Sequence, residues 1–161
     1  MVSRTCKNPP MYSAIVVGTD GSETANKAVA HAAGLAKSSW ATLHVVHAFR
    51  AVMFGEAALA TGAGGMMIDV ERMNEGIADH ARIVSAAAIA AVKADGVVIV
   101  AHTISGDPSD AIIAVAQDVG ADLLVVGNRG MSGMKRFVLG SVPNRIAHHA
   151  PCSVLIVNTA E

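Results

Sequence analysis

Residues 127–143 read GNRGMSGMKRFVLGSVP. Ahead of them, Asp122-Leu123-Leu124-Val125-Val126 is a short apolar run of the kind that forms a buried strand. Behind them, Val142 to His149 has the character of a helix. Gly127 and Gly130 are separated by two residues, and nine more precede Gly140-Ser141. A strand that ends in glycine lets a ligand approach backbone that a Cβ would shield. Ser141 is expected to cap the following helix, with Pro143 in its first turn, where a missing N–H does no harm. The N–H groups of that turn, with the helix dipole behind them, attract anions. Arg129, Lys135 and Arg136 add positive charge. The stretch reads as a nucleotide phosphate site made of loop backbone and a helix N-terminus. It is neither GxxxxGK[ST] nor GxGxxG.

Working outward, the same alternation of strand and helix fills the chain. Ser13 to Gly18 reads as a strand, and Ser22 can cap a helix to about Lys37 whose inward face is Ala25, Ala28, Val29, Ala32 and Ala36. Thr42 to Ala48 reads as a second strand, just after Trp40. Residues 50–65, rich in Ala, Gly and Met, show no clean period and read as a loop, either a flap over a ligand or an insertion. A long helix is expected over 67–94, with Val70, Met73, Ile77, Ala81, Val84, Ala88 and Ala91 as its apolar stripe. Val97 to Ala101 reads as the third strand, with His102 and Thr103 at its exit. Asp107-Pro108-Ser109-Asp110 starts a helix that ends near Gly120. Leu123 to Val126 and Ser153 to Val157 complete the strands. Five strands alternating with four helices, each strand apolar on both faces, predict an α/β fold: a single doubly wound parallel sheet covered by helices on each face. Ligands bind such sheets at the carboxyl ends of the strands, where the winding reverses.

Composition narrows the function. The 161 residues suit one domain, expected over 13–161 behind a loose leader at 1–12 that does not read as a secretory signal. No apolar run is long enough for a membrane helix. A formal net charge of -1 and 3% aromatic residues give nucleic acid neither a basic face nor stacking platforms. Cys6 and Cys152 form no metal or CxxC pattern and read as two reduced thiols of a cytoplasmic protein. Adjacent His148 and His149 point in different directions on a helix, a poor metal pair. No Ser-His-Asp set, carboxylate pair or HExxH is visible, so no catalytic residue is assigned and any nucleotide hydrolysis should be slow.

The glycine spacing resembles that of the ATP-binding branch of the universal stress protein family. The resemblance extends to Val16-Val17-Gly18-Thr19-Asp20-Gly21-Ser22, Val45-Val46-His47-Ala48 and Pro151-Cys152-Ser153-Val154-Leu155-Ile156-Val157, and so spans about residues 13–158. It implies strand order 3-2-1-4-5, which sets the first and fourth strands side by side. It implies Thr19 as a nucleotide-binding position, Asp20 beside the ribose and the metal-bound phosphates, where it can accept from ribose hydroxyls or bind Mg²⁺, and Ala48 backbone at the adenine edge. Val126, Gly127, Arg129, Gly130, Gly140, Ser141 and Val142 carry over as wall, ribose and phosphate contacts. ATP is the implied ligand, with cyclic AMP as the alternative, and the implied role is a stress or signalling regulator. A slow ATPase and a dimeric interaction scaffold are the other readings. The resemblance also implies a homodimer through the last strand, which as an apolar sheet edge invites pairing.

Overall fold

The computed structural model describes residues 11–53, 69–92, 96–128 and 139–159. Most of the expected leader, with Cys6, most of the 50–65 segment, and Arg129, Gly130, Lys135 and Arg136 lie outside the described residues. The elements are β1 (Ala14–Thr19), α1 (Glu23–Ser39), β2 (Thr42–Phe49), α2 (Val70–Val92), β3 (Ile99–Ser105), α3 (Pro108–Asp118), β4 (Leu123–Gly127), α4 (Ser141–His149) and β5 (Ser153–Val157). All strand pairs are parallel, in the order β3-β2-β1-β4-β5. The resemblance had implied that order, and the molecule has it.

Two apolar layers hold the sheet. On one face Ile15, Val17, Leu43, Val45, Leu123 and Val125 meet the alanine-rich side of α1, with Ile89 and Val92 of α2 packed alongside. On the other face Val16, Val46, Leu124 and Val126 meet Ile112 and Val115 of α3 and Ile146 of α4. Small residues on α1 let it lie close to the strands, and the five expected inward positions are all buried. The helix ends at Trp40, whose left-handed backbone (φ 58°) donates its N–H to Ala36. This Trp is 86% exposed. Among the described residues no helix is long and apolar enough to cross a membrane.

Three expectations change. The third strand runs to Ser105, so His102 and Thr103 lie inside it rather than at its exit. Its pairing with β2 continues to Phe49↔Ser105, and this ladder outlasts the apolar run that marked the strand. Nor is β3 apolar on two buried faces: it is an edge, and Val98 beside it is 64% exposed. On α2, Met73 is 39% exposed and Ala91 lies outside, while Ala81, Ser85 and Ala88 are buried. The helix is rotated from the expected stripe, and Ser85 satisfies its hydroxyl by donating to Ala81 O (3.1 Å). Cys152 stands just before β5 and is half-buried.

The crevice between β1 and β4

β1 and β4 sit at the reversal of the winding. They pair only as far as Val17↔Val125, yet β1 runs on to Thr19 and β4 to Gly127. Over those last residues each strand turns to its other neighbour: Thr19 pairs with His47 and Gly127 with Val157. The two carboxyl ends therefore part, and the parting opens the crevice.

One wall is the turn after β1. Thr19 Oγ1 accepts from Gly21 N (3.1 Å), and Asp20 Oδ1 accepts from the N–H and hydroxyl of Ser22 at 3.0 and 2.6 Å. Ser22 Oγ in turn accepts from Ala25 N (3.1 Å), which is the expected cap of α1. Gly21 is required twice over: its φ is +79°, and a Cβ would stand 2.6 Å from Val84 Cγ1. Asp20 Oδ1 thus serves the turn. His47 adds a tie that sequence reasoning missed. Its Nδ1 lies 2.9 Å from Thr19 O. A carbonyl can only accept, so Nδ1 carries the proton and holds the turn from the β2 side. Ala48 follows, half-buried beside the second apolar layer.

The opposite wall is built on Asn128. Its N–H donates to Val157 O (2.9 Å), and its Oδ1 accepts from Thr159 N (3.0 Å) and Thr159 Oγ1 (2.8 Å). Its Nδ2 donates to Asn158 Oδ1 (3.1 Å), and its carbonyl accepts from Gly140 N at 3.1 Å. The glycine loop leaves at Asn128 and returns to it at Gly140. Sequence reasoning passed over this residue; its place directly after a strand-ending glycine was the available signal.

Gly140, not Ser141, is the N-cap of α4. Its carbonyl already accepts from Asn144 N (3.0 Å), so the helical ladder starts one residue earlier than expected. No side chain caps this end. The N–H groups of Ser141 and Val142 have no acceptor within the helix, and Pro143 has no N–H at all. A Cβ on Gly140 would meet Pro143 Cδ and Asn128 O at 3.4 and 3.5 Å, ordinary contact distances. The fold itself therefore has room for a side chain there. Thr19, Asp20, Val126, Gly127, Gly140, Ser141 and Val142 thus line or adjoin one crevice, with Ala48 at the end of the next strand; Arg129 and Gly130 follow Asn128, outside the described residues.

Beside the crevice, Arg145 of α4 bonds Asp110 Oδ1 (2.7 Å) and reaches Asp107 Oδ1 (3.5 Å), joining α4 to the start of α3. Slight burial works against the Asp107 charge, but the N–H groups of Asp110 and Ser109 and the Arg145 cation outweigh it and hold the carboxyl below its usual value. Arg145 is thus engaged with these two carboxylates, and among the described residues the groups left to an anion at the start of α4 are backbone N–H.

A parallel sheet in this order, with a parted β1–β4 end facing an uncapped helix, defines a doubly wound α/β domain. The universal stress protein family model matches residues 11–158, and the chain belongs to that family. It is 36% identical over 148 residues to universal stress protein Rv1636 of Mycobacterium tuberculosis, covering 92% of this chain and 97% of that protein. It is 33% identical over 155 residues to universal stress protein YxiE of Bacillus subtilis, covering 91% and 99%. Among solved structures, a universal stress protein in complex with cAMP superposes with TM-score 0.69 at 34% identity, covering 93% of this chain and 99% of that one.

Proposed function

We propose that this protein binds an adenine nucleotide, ATP with its Mg²⁺ foremost, between the parted ends of β1 and β4, and acts as a nucleotide-dependent regulator in the stress response. The observation that carries the reading is the crevice itself: strand pairing stops at Val17↔Val125, and two helix N–H groups stand uncapped beside it. In this reading adenine lies along Ala48 and Val126, and the ribose meets Thr19 and Asp20. The phosphates rest on backbone at Gly127, Gly140, Ser141 and Val142, with Arg129 and Gly130 following in the loop. Asp20 is the carboxylate that would meet the Mg²⁺ ATP brings.

Cyclic AMP is the second reading, favoured by the structure at 34% identity that was solved with that ligand. We also assign the working unit as a homodimer joined at the β5 edge. Mass spectrometry of nucleotide released from the purified chain, followed by calorimetric titration with MgATP and cyclic AMP, tests the reading. Released ATP and tighter MgATP binding are expected. Released cyclic AMP would select the second reading, and no binding of either ligand below about 1 mM would overturn both.

A further inference from the structure

Away from the crevice, two imidazoles meet on the edge of the sheet. His44 of β2 and His102 of β3 are diagonal neighbours across the ladder, since His44 is level with Val100 and Val46 with His102. Both are half-buried on the α3 face, near the exposed Val98 and Val100. His44 Nδ1 lies 3.0 Å from His102 Nε2, and the ring centroids are 5.2 Å apart with planes tilted by 35°.

We propose that His44 and His102 form a two-imidazole site for a first-row transition-metal cation, Cu²⁺ or Zn²⁺. Two nitrogens at about 2.0 Å from one ion stand roughly 2.9 Å apart in square-planar geometry and roughly 3.3 Å apart in tetrahedral geometry. The observed 3.0 Å falls between them. A hydrogen bond of this length holds one proton between two lone pairs, and a cation takes that proton's place when both lone pairs turn toward it. The soft terminal torsion of histidine allows that turn. Among the described residues no third His, Cys, Asp or Glu completes a set, so water fills the remaining positions and the ion exchanges. The Asp118 carboxylate at the end of α3 acts electrostatically on His102 and favours a cation there. Burial, with the neighbouring ring adding to it for His44, holds both imidazoles below their ordinary pKa, which leaves them neutral and able to ligate at neutral pH. Bound metal would clamp the edge strand β3 to β2 in the middle of their ladder. Imidazole selects Cu²⁺ over Zn²⁺ and rejects Mg²⁺, so this site and a nucleotide-bound Mg²⁺ would not compete.

The test is calorimetric titration of the metal-stripped, nucleotide-free chain with CuCl₂ and ZnCl₂. It compares the wild type with His44→Ala, His102→Ala and the double variant His148→Ala/His149→Ala. One Cu²⁺ per chain is expected, at least tenfold weaker in each of the first two variants and unaltered in the last. Paramagnetic resonance of the Cu²⁺ form should show two coordinating nitrogens. Wild-type Cu²⁺ affinity weaker than about 0.1 mM, or affinity unchanged in His44→Ala and His102→Ala, would overturn the proposal. If a variant proves unfolded by circular dichroism, the wild type decides alone. The ¹⁵N signals of both rings must move on adding Zn²⁺; signals that stay in place sink the idea.

Discussion

Asn128 shows how much one side chain can organise. Its amide oxygen satisfies the backbone and hydroxyl of Thr159, which is only 2% exposed. Asn128→Ala leaves that buried hydroxyl without its acceptor and should lower stability by about 2 kcal/mol in urea unfolding. Asn128→Asp keeps the acceptor and should cost clearly less. Asp20 calls for a different substitution. Its Oδ1 is the acceptor for Ser22, and Asn presents the same oxygen without the charge. Asp20→Asn therefore keeps the acceptor that Ser22 uses. It should weaken MgATP binding about tenfold and cyclic AMP binding little if the carboxylate meets the metal; equal losses would assign it to the ribose. Asp20 could be singled out from sequence because a carboxylate in a glycine turn after a strand is a local pattern. Asn128 offered only its place after a strand-ending glycine, because the partners that give it its role lie 30 and 31 residues away.

At the scale of elements, caps and inward faces were legible wherever local chemistry decides them. Ser22 caps α1 and Asp107 caps α3 through their own side chains, as the residues suggest. The start of α4 was misplaced by one residue because a contact between distant backbone groups, Gly140 N to Asn128 O, sets it. That correction sharpens a prediction. A serine at position 140 has room for its Cβ and can accept only from Val142, since Pro143 offers no N–H. Gly140→Ser should change stability by no more than a few tenths of a kcal/mol. It should weaken nucleotide binding more than tenfold, as measured by calorimetry, because the hydroxyl takes the N–H that the phosphate needs. Unaltered affinity would place the phosphates elsewhere. The other end of the sheet offers a pH test. Asp122 Oδ2 accepts from the hydroxyl and N–H of Ser13, both 2.6 Å, and from Ala14 N (3.0 Å), and these bonds hold its carboxyl below the usual value. A lowered carboxylate stabilises the fold above its unfolded pKa and loses that contribution as pH falls through the folded one. The stability gap between wild type and Asp122→Asn should be full at neutral pH and close as pH falls through the ordinary carboxylate range and below it.

Across the whole molecule, the alternating pattern announced the α/β class, while the strand order came from family resemblance, because apolar runs alone do not say which strands are neighbours. The edge character of β3 was hidden for the same reason: Val98 and Val100 look like core in sequence and face outward in space. The sheet has two edges, β3 and β5. Pairing at β5 predicts a dimer in sedimentation at roughly 20 μM, and a monomer there would remove the proposed assembly. Lysine at Val154 or Ile156 is a poor probe of that contact, since both side chains pack on the second apolar layer and the fold would suffer too.

The chain has a single tryptophan, Trp40, and it stands almost wholly in solvent at the amino end of β2. The crevice lies at the carboxyl ends, about 25 Å away along an eight-residue strand. Intrinsic emission from this protein should thus resemble that of free indole in water whether the crevice is filled or vacant. A fluorimeter trained on it is silent to nucleotide, and a blue shift would instead announce that something had settled on the far end of the sheet.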